Sequence, residues 1–141
     1  MIMIIVIINR KVVKTMAAQR NSKQRDAVFQ NLSERYDHPT AEEVYLAVRE
    51  TNPTISLATV YRNLRLLESE GKILKIPTPT GDRFDGHTHR HSHFTCGTCG
   101  KVLDLELKDS VSAESLIKTP HPVVTGYELM FFGICNKCKT N

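Results

Sequence analysis

Four cysteines occur as two pairs of identical spacing, Cys96-x-x-Cys99 and Cys135-x-x-Cys138, and the chain has no others. Two thiolates from one tight turn can converge on one ion, and two such turns complete a closed tetrahedral zinc site. Thiolate is a soft ligand and Zn²⁺ imposes no geometric preference of its own, so the set suits zinc. Two disulfides are the alternative, but nothing else in the sequence indicates secretion. The spacing therefore favours structural zinc.

Four of the six histidines alternate with other residues between His87 and His93. Alternate side chains of an extended strand share a face, so this spacing would align imidazoles along one edge. Asp85 and Asp104 lie close enough in sequence to add carboxylate oxygens, and a mixed set of this kind suits Fe, Mn, Zn or Ni. Such a site would hold its ion less permanently than four thiolates. A solvated histidine-rich loop is the alternative that the residues leave open.

The positive charge of the chain lies in its first half. Residues 1–83 carry 13 Lys and Arg against 9 Asp and Glu, whereas residues 84–141 carry six of each. This asymmetry modestly favours a polyanionic partner for the first half. The total length of 141 residues allows one ordinary domain or two small ones, and small domains often depend on a metal because they bury little core.

The chain opens with an apolar run at residues 1–8, followed by basic residues. This run is too short to span a bilayer, and a secretory signal would place its charges before the apolar stretch. We therefore expect a cytoplasmic protein with no membrane partner. Residues 1–15 are a possible extension, because translation could equally begin at Met16.

Three short helices followed by a hairpin are predicted in the first half. Ala27, Val28 and Leu32, with polar residues between them, predict a short amphipathic helix over 20–32. The capping box of Thr40 and Glu43 begins a second helix that ends before Pro53, and a third helix spans 57–69. Strands are predicted over 72–76 and 83–85, around a turn at 77–81. This order is that of a winged helix-turn-helix domain, whose third helix would enter the DNA major groove.

The third helix carries side chains that suit DNA contacts. Thr59, Arg62, Asn63 and Arg65 are predicted to point away from its apolar stripe, and Tyr61 lies beside the stripe. They combine donors for base edges with cations for phosphates. An ordinary solvated helix face is the alternative reading of this pattern.

The second half has a different pattern, with strands predicted over 91–96, 101–107 and 127–134 and a helix over 109–118. The strand residues 129–132 are apolar, which suits a core or a subunit interface. The predicted fold class is therefore α+β, with an N-terminal winged helix-turn-helix domain and a small C-terminal α/β domain.

Several motifs, in this order, resemble the ferric uptake regulator superfamily. They are Arg20-x-Ser22-x-Gln24-Arg25, His38-Pro39-Thr40-Ala41, Ala58-Thr59-Val60-Tyr61-Arg62-Asn63-Leu64, Arg83-Phe84-Asp85, His91-x-His93-x-x-Cys96-x-x-Cys99-Gly100-Lys101 and Cys135-x-x-Cys138. The resemblance runs from about Arg20 to the C-terminus. It implies a homodimeric repressor with a DNA-binding domain at 1–83, a hinge at 84–90, and a dimerisation and metal-binding domain at 91–141. Arg20 joins the expected contacts to double-stranded operator DNA.

The regulatory metal site implied by the resemblance consists of His38, Asp85, His91, His93 and Asp104. Both carboxylates are aspartates, and a further metal site of many family members is replaced by Arg90, Ser92 and Tyr127. These features are most similar to the peroxide-sensing branch, PerR. The resemblance therefore implies Fe²⁺ or Mn²⁺ at this site and structural Zn²⁺ on the cysteines, with an iron-sensing repressor as the alternative.

A zinc enzyme and a metal-storage module are the alternatives from other classes. Catalytic zinc requires an open coordination position beside a general base, whereas four thiolates close the site. The histidine tract also has no Glu placed as in H-E-x-x-H. A storage module would leave the helix-turn-helix pattern unexplained. We therefore expect no enzyme activity and no small-molecule substrate.

Overall fold

The computed structural model describes residues 10–89, 91–108, 114–119, 123–125 and 127–140, with side chains from residue 18 onward. Its helices and strands are α1 (Arg10–Ser33), α2 (Ala41–Thr51), α3 (Leu57–Ser69), β1 (Leu74–Thr78), β2 (Gly81–Asp85), β3 (Ser92–Cys96), β4 (Val102–Leu105), β5 (Met130–Gly133) and α4 (Asn136–Lys139). The three long helices and the β1–β2 hairpin form a winged helix-turn-helix, and β3, β4 and β5 form a second sheet. The α+β class is confirmed.

Local capping residues set the ends of α2 and α3. The Glu43 N–H donates to Thr40 Oγ1 at 3.2 Å, and the Thr40 N–H donates to the Glu43 carboxylate at 2.8 Å. Ser56 caps α3 by accepting from the Thr59 N–H at 3.1 Å. Gly71 follows α3 with a φ of 68°, a conformation that favours glycine. The predicted bounds of α3 are confirmed.

Helix α1 begins ten residues earlier than predicted, at Arg10 rather than Arg20. No Gly or Pro interrupts 10–19, and Lys, Ala, Arg and Gln are good helix formers, so propensity extends the helix beyond its amphipathic part. Residues 10–15 of the possible extension therefore belong to α1, and residues 1–9 lie outside the described residues.

The apolar core lies between the three helices and the hairpin. Its buried members are Val28, Leu32, Ala41, Val44, Val48, Ile55, Val60, Leu64, Leu67, Ile73 and Phe84. Burial of this size stabilises the first half without any metal, since each buried aliphatic side chain contributes roughly 1.5–3 kcal/mol.

The hairpin turn lies at Pro79 and Thr80, and β1 extends through Pro77. Proline fits there because a two-stranded sheet has only edge strands. Strand β2 is fixed to the loop between α1 and α2, because the Phe84 N–H donates to the Pro39 carbonyl at 2.9 Å. The last residue of β2, Asp85, is thereby held beside that loop.

The second sheet has the strand order β4-β3-β5. Strand β3 pairs antiparallel with β4, which sets His93 opposite Asp104, and parallel with β5, which sets Cys96 opposite Gly133. Of the helix predicted over 109–118, residues 109–113 lie outside the described residues. The described remainder forms only a single 3-10 turn, Glu114–Leu116.

Buried apolar side chains are scarce in the described part of the second half, where Cys96, Val102 and Cys135 are the buried members. Phe132 and Ile134, at and after β5, are instead 71% and 61% exposed. Within the described ranges, no helix combines the length and apolar character needed to cross a membrane.

Candidate metal centres

The four cysteines form one cluster, called here the cysteine cluster. Cys96 ends β3 and Cys99 lies in the turn that follows, while Cys135 precedes α4 and Cys138 lies within it. The parallel pairing of β3 with β5 brings the two turns together, and the Gly97 N–H donates to the Gly133 carbonyl at 2.9 Å. The four sulfurs lie within 4.8 Å of one another.

The chemistry of the cysteine cluster suits a divalent cation rather than disulfides. All four cysteines are free, and the sulfurs of Cys99 and Cys135 are 3.8 Å apart. The backbone N–H groups of Cys135 and Cys99 lower the pKa of Cys96 to about 6. The sulfurs of Cys135 and Cys99 raise the pKa of Cys138 to about 12. Four sulfurs this close cannot all ionise without a cation among them, and zinc fits such a set.

A second cluster contains His38, Asp85, His91, His93 and Asp104, each offering one ligand atom within 4.8 Å of the others, and is called the regulatory cluster after the site that the resemblance implies. His38 comes from the loop before α2, Asp85 from the end of β2, and the remaining residues from the second sheet and the segment leading into it. The cluster therefore joins the winged helix to the second sheet. All five residues expected from the resemblance are brought together.

Two carboxylate oxygens form the centre of the regulatory cluster. Asp85 Oδ2 lies 2.8 Å from His91 Nε2, 3.1 Å from His93 Nε2 and 3.5 Å from His38 Nε2. Asp104 Oδ1 lies 2.8 Å from His38 Nε2, 3.3 Å from His91 Nε2 and 3.5 Å from His93 Nε2. The Nε2 atoms of His38, His91 and His93 therefore each lie within 3.5 Å of both carboxylate oxygens. This is a donor set for Fe²⁺, Mn²⁺ or Zn²⁺.

The two aspartates differ in burial, which leaves the regulatory cluster accessible from one side. Asp85 is 3% exposed, whereas the Asp104 side chain is 38% exposed. Burial alone would raise the pKa of Asp85, but the imidazoles of His38 and His93 and the His87 backbone N–H lower it well below its usual range. Burial alone would lower the pKa of His38, but Asp85 and Asp104 raise it above its ordinary value.

The ring of His38 supports a metal in this cluster. His38 is 2% exposed, and neither ring nitrogen makes a well-formed hydrogen bond within the described part of the chain. Its Nε2 approaches Asp104 Oδ1 at 2.8 Å without hydrogen-bond geometry. A buried imidazole without such a bond is costly, so convergence of its Nε2 on the ligand atoms fits a bound cation.

Arg83 holds His38 in place. His38 has a φ of 49°, which is uncommon for a residue with a side chain. Arg83 donates from Nη1 to the His38 carbonyl and from Nε to the Gly100 carbonyl, both at 2.9 Å. Gly100 directly follows the first cysteine pair. One guanidinium therefore connects the regulatory cluster with the cysteine cluster.

The residues predicted to contact DNA do not all lie on an exposed face. Tyr61, Arg62 and Arg65 are exposed on α3, Thr59 is partly exposed, and Arg20 is exposed on α1. The expectation that Asn63 points away from the apolar stripe is wrong, because Asn63 is only 4% exposed. Its position three residues after Val60 and four before Leu67 places it on the buried side of the helix. The described face of α3 therefore offers four of its five predicted side chains.

Sequence reasoning missed four contacts of these sites. The Tyr61 hydroxyl donates to the Glu42 carboxylate at 2.6 Å. The His87 ring stacks on Tyr36, and Arg83 makes the two bonds described above. Of the replaced further metal site, Ser92 is buried in β3, and Arg90 lies outside the described residues. The missed partners come from separate segments, so no local pattern could have indicated them.

Comparison with known proteins gives relatives along most of the chain. The peroxide-responsive repressor PerR of Staphylococcus epidermidis is 34% identical over 125 residues, covering 87% of this chain and 83% of that protein. PerR of Staphylococcus aureus strain USA300 is also 34% identical over 125 residues, covering 87% and 84%.

Solved structures of similar proteins share the fold. The Campylobacter jejuni peroxide stress regulator has a TM-score of 0.75 and 28% identity, covering 93% of this chain and all of that one. The Helicobacter pylori ferric uptake regulator, described as having three functional metal-binding sites, has a TM-score of 0.71 and 25% identity, covering 89% and 88%. The sequence profile described as "Ferric uptake regulator family" matches residues 16–125. The chain belongs to the ferric uptake regulator family of metal-responsive transcriptional regulators.

Proposed function

We propose that this protein is a metal-dependent transcriptional repressor that senses peroxide through Fe²⁺ or Mn²⁺ in the regulatory cluster. The observation that carries the proposal is the convergence of three imidazoles and two carboxylates from both halves of the chain. The relatives named as peroxide-responsive repressors and the pair of aspartate ligands support the peroxide branch.

The link between metal and DNA follows from where the ligands originate. His38 precedes α2 of the winged helix, whereas His93 and Asp104 lie on paired strands of the second sheet. A cation held by all three favours one orientation of the winged helix over others. Metal binding and DNA binding then stabilise the same state, and each must strengthen the other by the same factor.

Operator binding is assigned to the exposed face of α3. Arg62 and Arg65 would contribute cations for phosphates or guanine edges, and Tyr61 would contribute a ring and a hydroxyl. Arg20 would add a phosphate contact from α1. The excess of basic residues in the first half supports a polyanionic partner there.

A homodimer would bring two such helices to the half-sites of a near-palindromic operator. Phe131, Phe132 and Ile134 support this assembly, because they leave apolar surface exposed along and after β5. Apolar surface of this kind is typical of a subunit interface. The cysteine cluster, with structural Zn²⁺, would stabilise the sheet that carries this surface.

Fe²⁺ held by the residues of the regulatory cluster would supply the electron that splits hydrogen peroxide, whereas Mn²⁺ at the same site would resist this reaction. His38 and His91 are the side chains that we expect to be oxidised. Oxidation of either imidazole removes one ligand atom from the cluster. The remaining residues would then hold a cation too weakly to keep the winged helix in its DNA-binding orientation.

The metal link is tested with His91→Ala and a duplex selected from a random library by the Mn²⁺-loaded protein. Fluorescence anisotropy should show that Mn²⁺ strengthens binding of the wild type to this duplex, and that His91→Ala loses most of this gain. The zinc content of the variant should stay unchanged. Equal affinity of the wild type with and without Mn²⁺ would contradict the proposal.

Peroxide sensing is tested by mass spectrometry of the Fe²⁺-loaded protein after treatment with hydrogen peroxide. One added oxygen is expected on a peptide that contains His38 or His91, together with loss of duplex binding. The Mn²⁺-loaded protein is the control and should stay unmodified. An unmodified Fe²⁺ protein that still binds its duplex would favour an iron-sensing repressor instead; the Helicobacter pylori relative is named a ferric uptake regulator.

A further inference from the structure

The two oxygens of Asp85 have separate partners. Oδ2 faces the imidazoles of the regulatory cluster, and its shortest contact is 2.8 Å to His91 Nε2. Oδ1 faces His87, whose backbone N–H donates to it at 2.8 Å and whose Nδ1 lies 3.3 Å away. An ionised carboxylate can only accept hydrogen bonds, so Nδ1 carries the hydrogen in this contact. Both polar groups of His87 therefore donate to the oxygen that points away from the cluster.

The His87 ring is itself fixed by a neighbour. It stacks on the ring of Tyr36, with centroids 4.3 Å apart and planes inclined by 14°. The His87 side chain is 18% exposed, although Tyr36 is 69% exposed. Tyr36 lies two residues before His38 in the same loop. The ring therefore lies between one ligand, Asp85, and the loop that carries another, His38.

We propose that His87 is a positioning residue that fixes Asp85 as a ligand through Oδ2 alone and, through Tyr36, steadies the loop of His38. This inference rests on the proposed metal site in the regulatory cluster. His87 is not one of the five residues whose ligand atoms converge there. It acts on the cation only through Asp85 and Tyr36.

The physical basis is the control that outer partners exert on metal ligands. A carboxylate free to rotate can bind a cation through either oxygen or through both, and a hydrogen bond to one oxygen selects the other. Binding through one oxygen uses one coordination position instead of two. Loss of such an outer partner typically weakens metal binding by about 10-fold to 100-fold.

His87 offers variants that separate its two contacts. His87→Phe keeps a ring for stacking on Tyr36 but removes the Nδ1 donor. His87→Asn removes the ring but keeps a nitrogen donor on the γ carbon, where Nδ1 is attached. Tyr36→Phe keeps the stack, and Tyr36→Ala removes it. His89→Ala is the matched control, since it removes an imidazole of the same tract whose contacts are with the rings of His87 and His91 and not with Asp85.

The measurement is Mn²⁺ affinity, from the EPR signal of free Mn²⁺, with zinc content and circular dichroism as checks of folding. We expect His87→Phe to raise the Kd for Mn²⁺ by about 10-fold or more. His87→Asn should recover most of this loss, Tyr36→Ala should cause a smaller loss than His87→Phe, and Tyr36→Phe and His89→Ala should match the wild type.

Three outcomes would overturn the proposal. Wild-type affinity of folded His87→Phe would show that the donor has no effect. If the pulsed EPR spectrum of bound Mn²⁺ in His87→Asn has one nitrogen coupling fewer than that of the wild type, His87 is a direct ligand. Weak binding by the wild type itself would remove the proposed function as well. The first two outcomes leave the proposed function in place, so the two failures are distinguishable.

Discussion

At the scale of the single residue, Gly86 is the point at which the segment after β2 contacts the end of α1. A Cβ at this position would lie 2.6 Å from the backbone carbon and oxygen of Leu32 and 2.7 Å from the Ser33 nitrogen. Backbone atoms cannot yield as a flexible side chain does. The absence of a side chain is therefore what lets Asp85 and His87 lie so close to the end of this helix.

Gly86→Ala should therefore lower the free energy of unfolding, by about 1–3 kcal/mol, as overpacking of a tight contact typically does. Urea denaturation followed by circular dichroism measures this change. Gly97→Ala is the control, because its Cβ would have as its nearest neighbour the Gly133 carbonyl oxygen, at an ordinary 3.8 Å. Equal midpoints for the two variants would show that the contact near Leu32 relaxes at no cost.

The contact between Tyr61 and Glu42 predicts a pH effect. The hydrogen bond from the Tyr61 hydroxyl lowers the pKa of the Glu42 carboxyl below its ordinary value. A lowered folded-state pKa stabilises the fold above the unfolded pKa, and this contribution disappears as the pH falls through the folded pKa. In Tyr61→Phe, NMR titration should find the Glu42 pKa raised relative to the wild type. An unchanged pKa would mean that the contact does not persist in solution.

At the scale of elements, the candidate ligands of the regulatory cluster are brought together where strands and loops meet. Strand β2 supplies Asp85, and its Arg83 connects the loop before α2 with the turn after β3. The antiparallel register of β3 and β4 places His93 across from Asp104. The regulatory cluster therefore depends on three contacts between elements: β2 with the loop before α2, β2 with the turn after β3, and β3 with β4.

Arg83→Gln tests the junction at β2. Loss of two bonds from a charged, mostly buried donor leaves the carbonyls of His38 and Gly100 without this partner, so we expect a loss of about 1–3 kcal/mol in unfolding free energy. Weaker Mn²⁺ binding should accompany it, because the His38 loop is no longer held.

The control for this junction is Arg65→Gln on the exposed face of α3. It should weaken duplex binding without changing Mn²⁺ affinity or stability. Arg83→Gln that binds Mn²⁺ as tightly as the wild type would show that the His38 loop keeps its conformation without the guanidinium.

The sequence predicted those elements whose ends are set locally. Helices α2 and α3 have cap residues within one turn of their starts. The cysteine pairs are recognisable because the spacing that brings two sulfurs to one ion is local in the sequence. The early start of α1 depends on propensity outside the amphipathic pattern, and the burial of Asn63 depends on how α3 rotates against its neighbours. His38 was expected only from the resemblance, and the partners of Arg83 and His87 come from distant segments. Tertiary packing decides each of these features.

At the scale of the whole molecule, stability is divided unequally. The first half has a continuous apolar core of three helices and a hairpin, whereas the described second half has few buried apolar side chains. The proposed zinc would compensate for this low burial, because a structural zinc site can contribute about 10 kcal/mol or more.

Removal of zinc should therefore unfold the second sheet before the helices. In hydrogen exchange, chelator-treated protein should lose protection in β3, β4 and β5 while α2 and α3 stay protected. Cys96→Ser should reproduce this pattern without chelator. Simultaneous loss of protection in both halves would show that the winged helix depends on the cysteine cluster.

Strand β3 carries residues of both clusters on opposite faces. His93 and Cys96 are three positions apart, and side chains in a strand alternate, so this strand of five residues lies between the regulatory cluster and the cysteine cluster. The two clusters therefore lie on opposite faces of β3. In the proposed repressor, a change at the cysteine cluster such as thiol oxidation would therefore also misalign the imidazoles, and operator binding would be lost even where iron is plentiful.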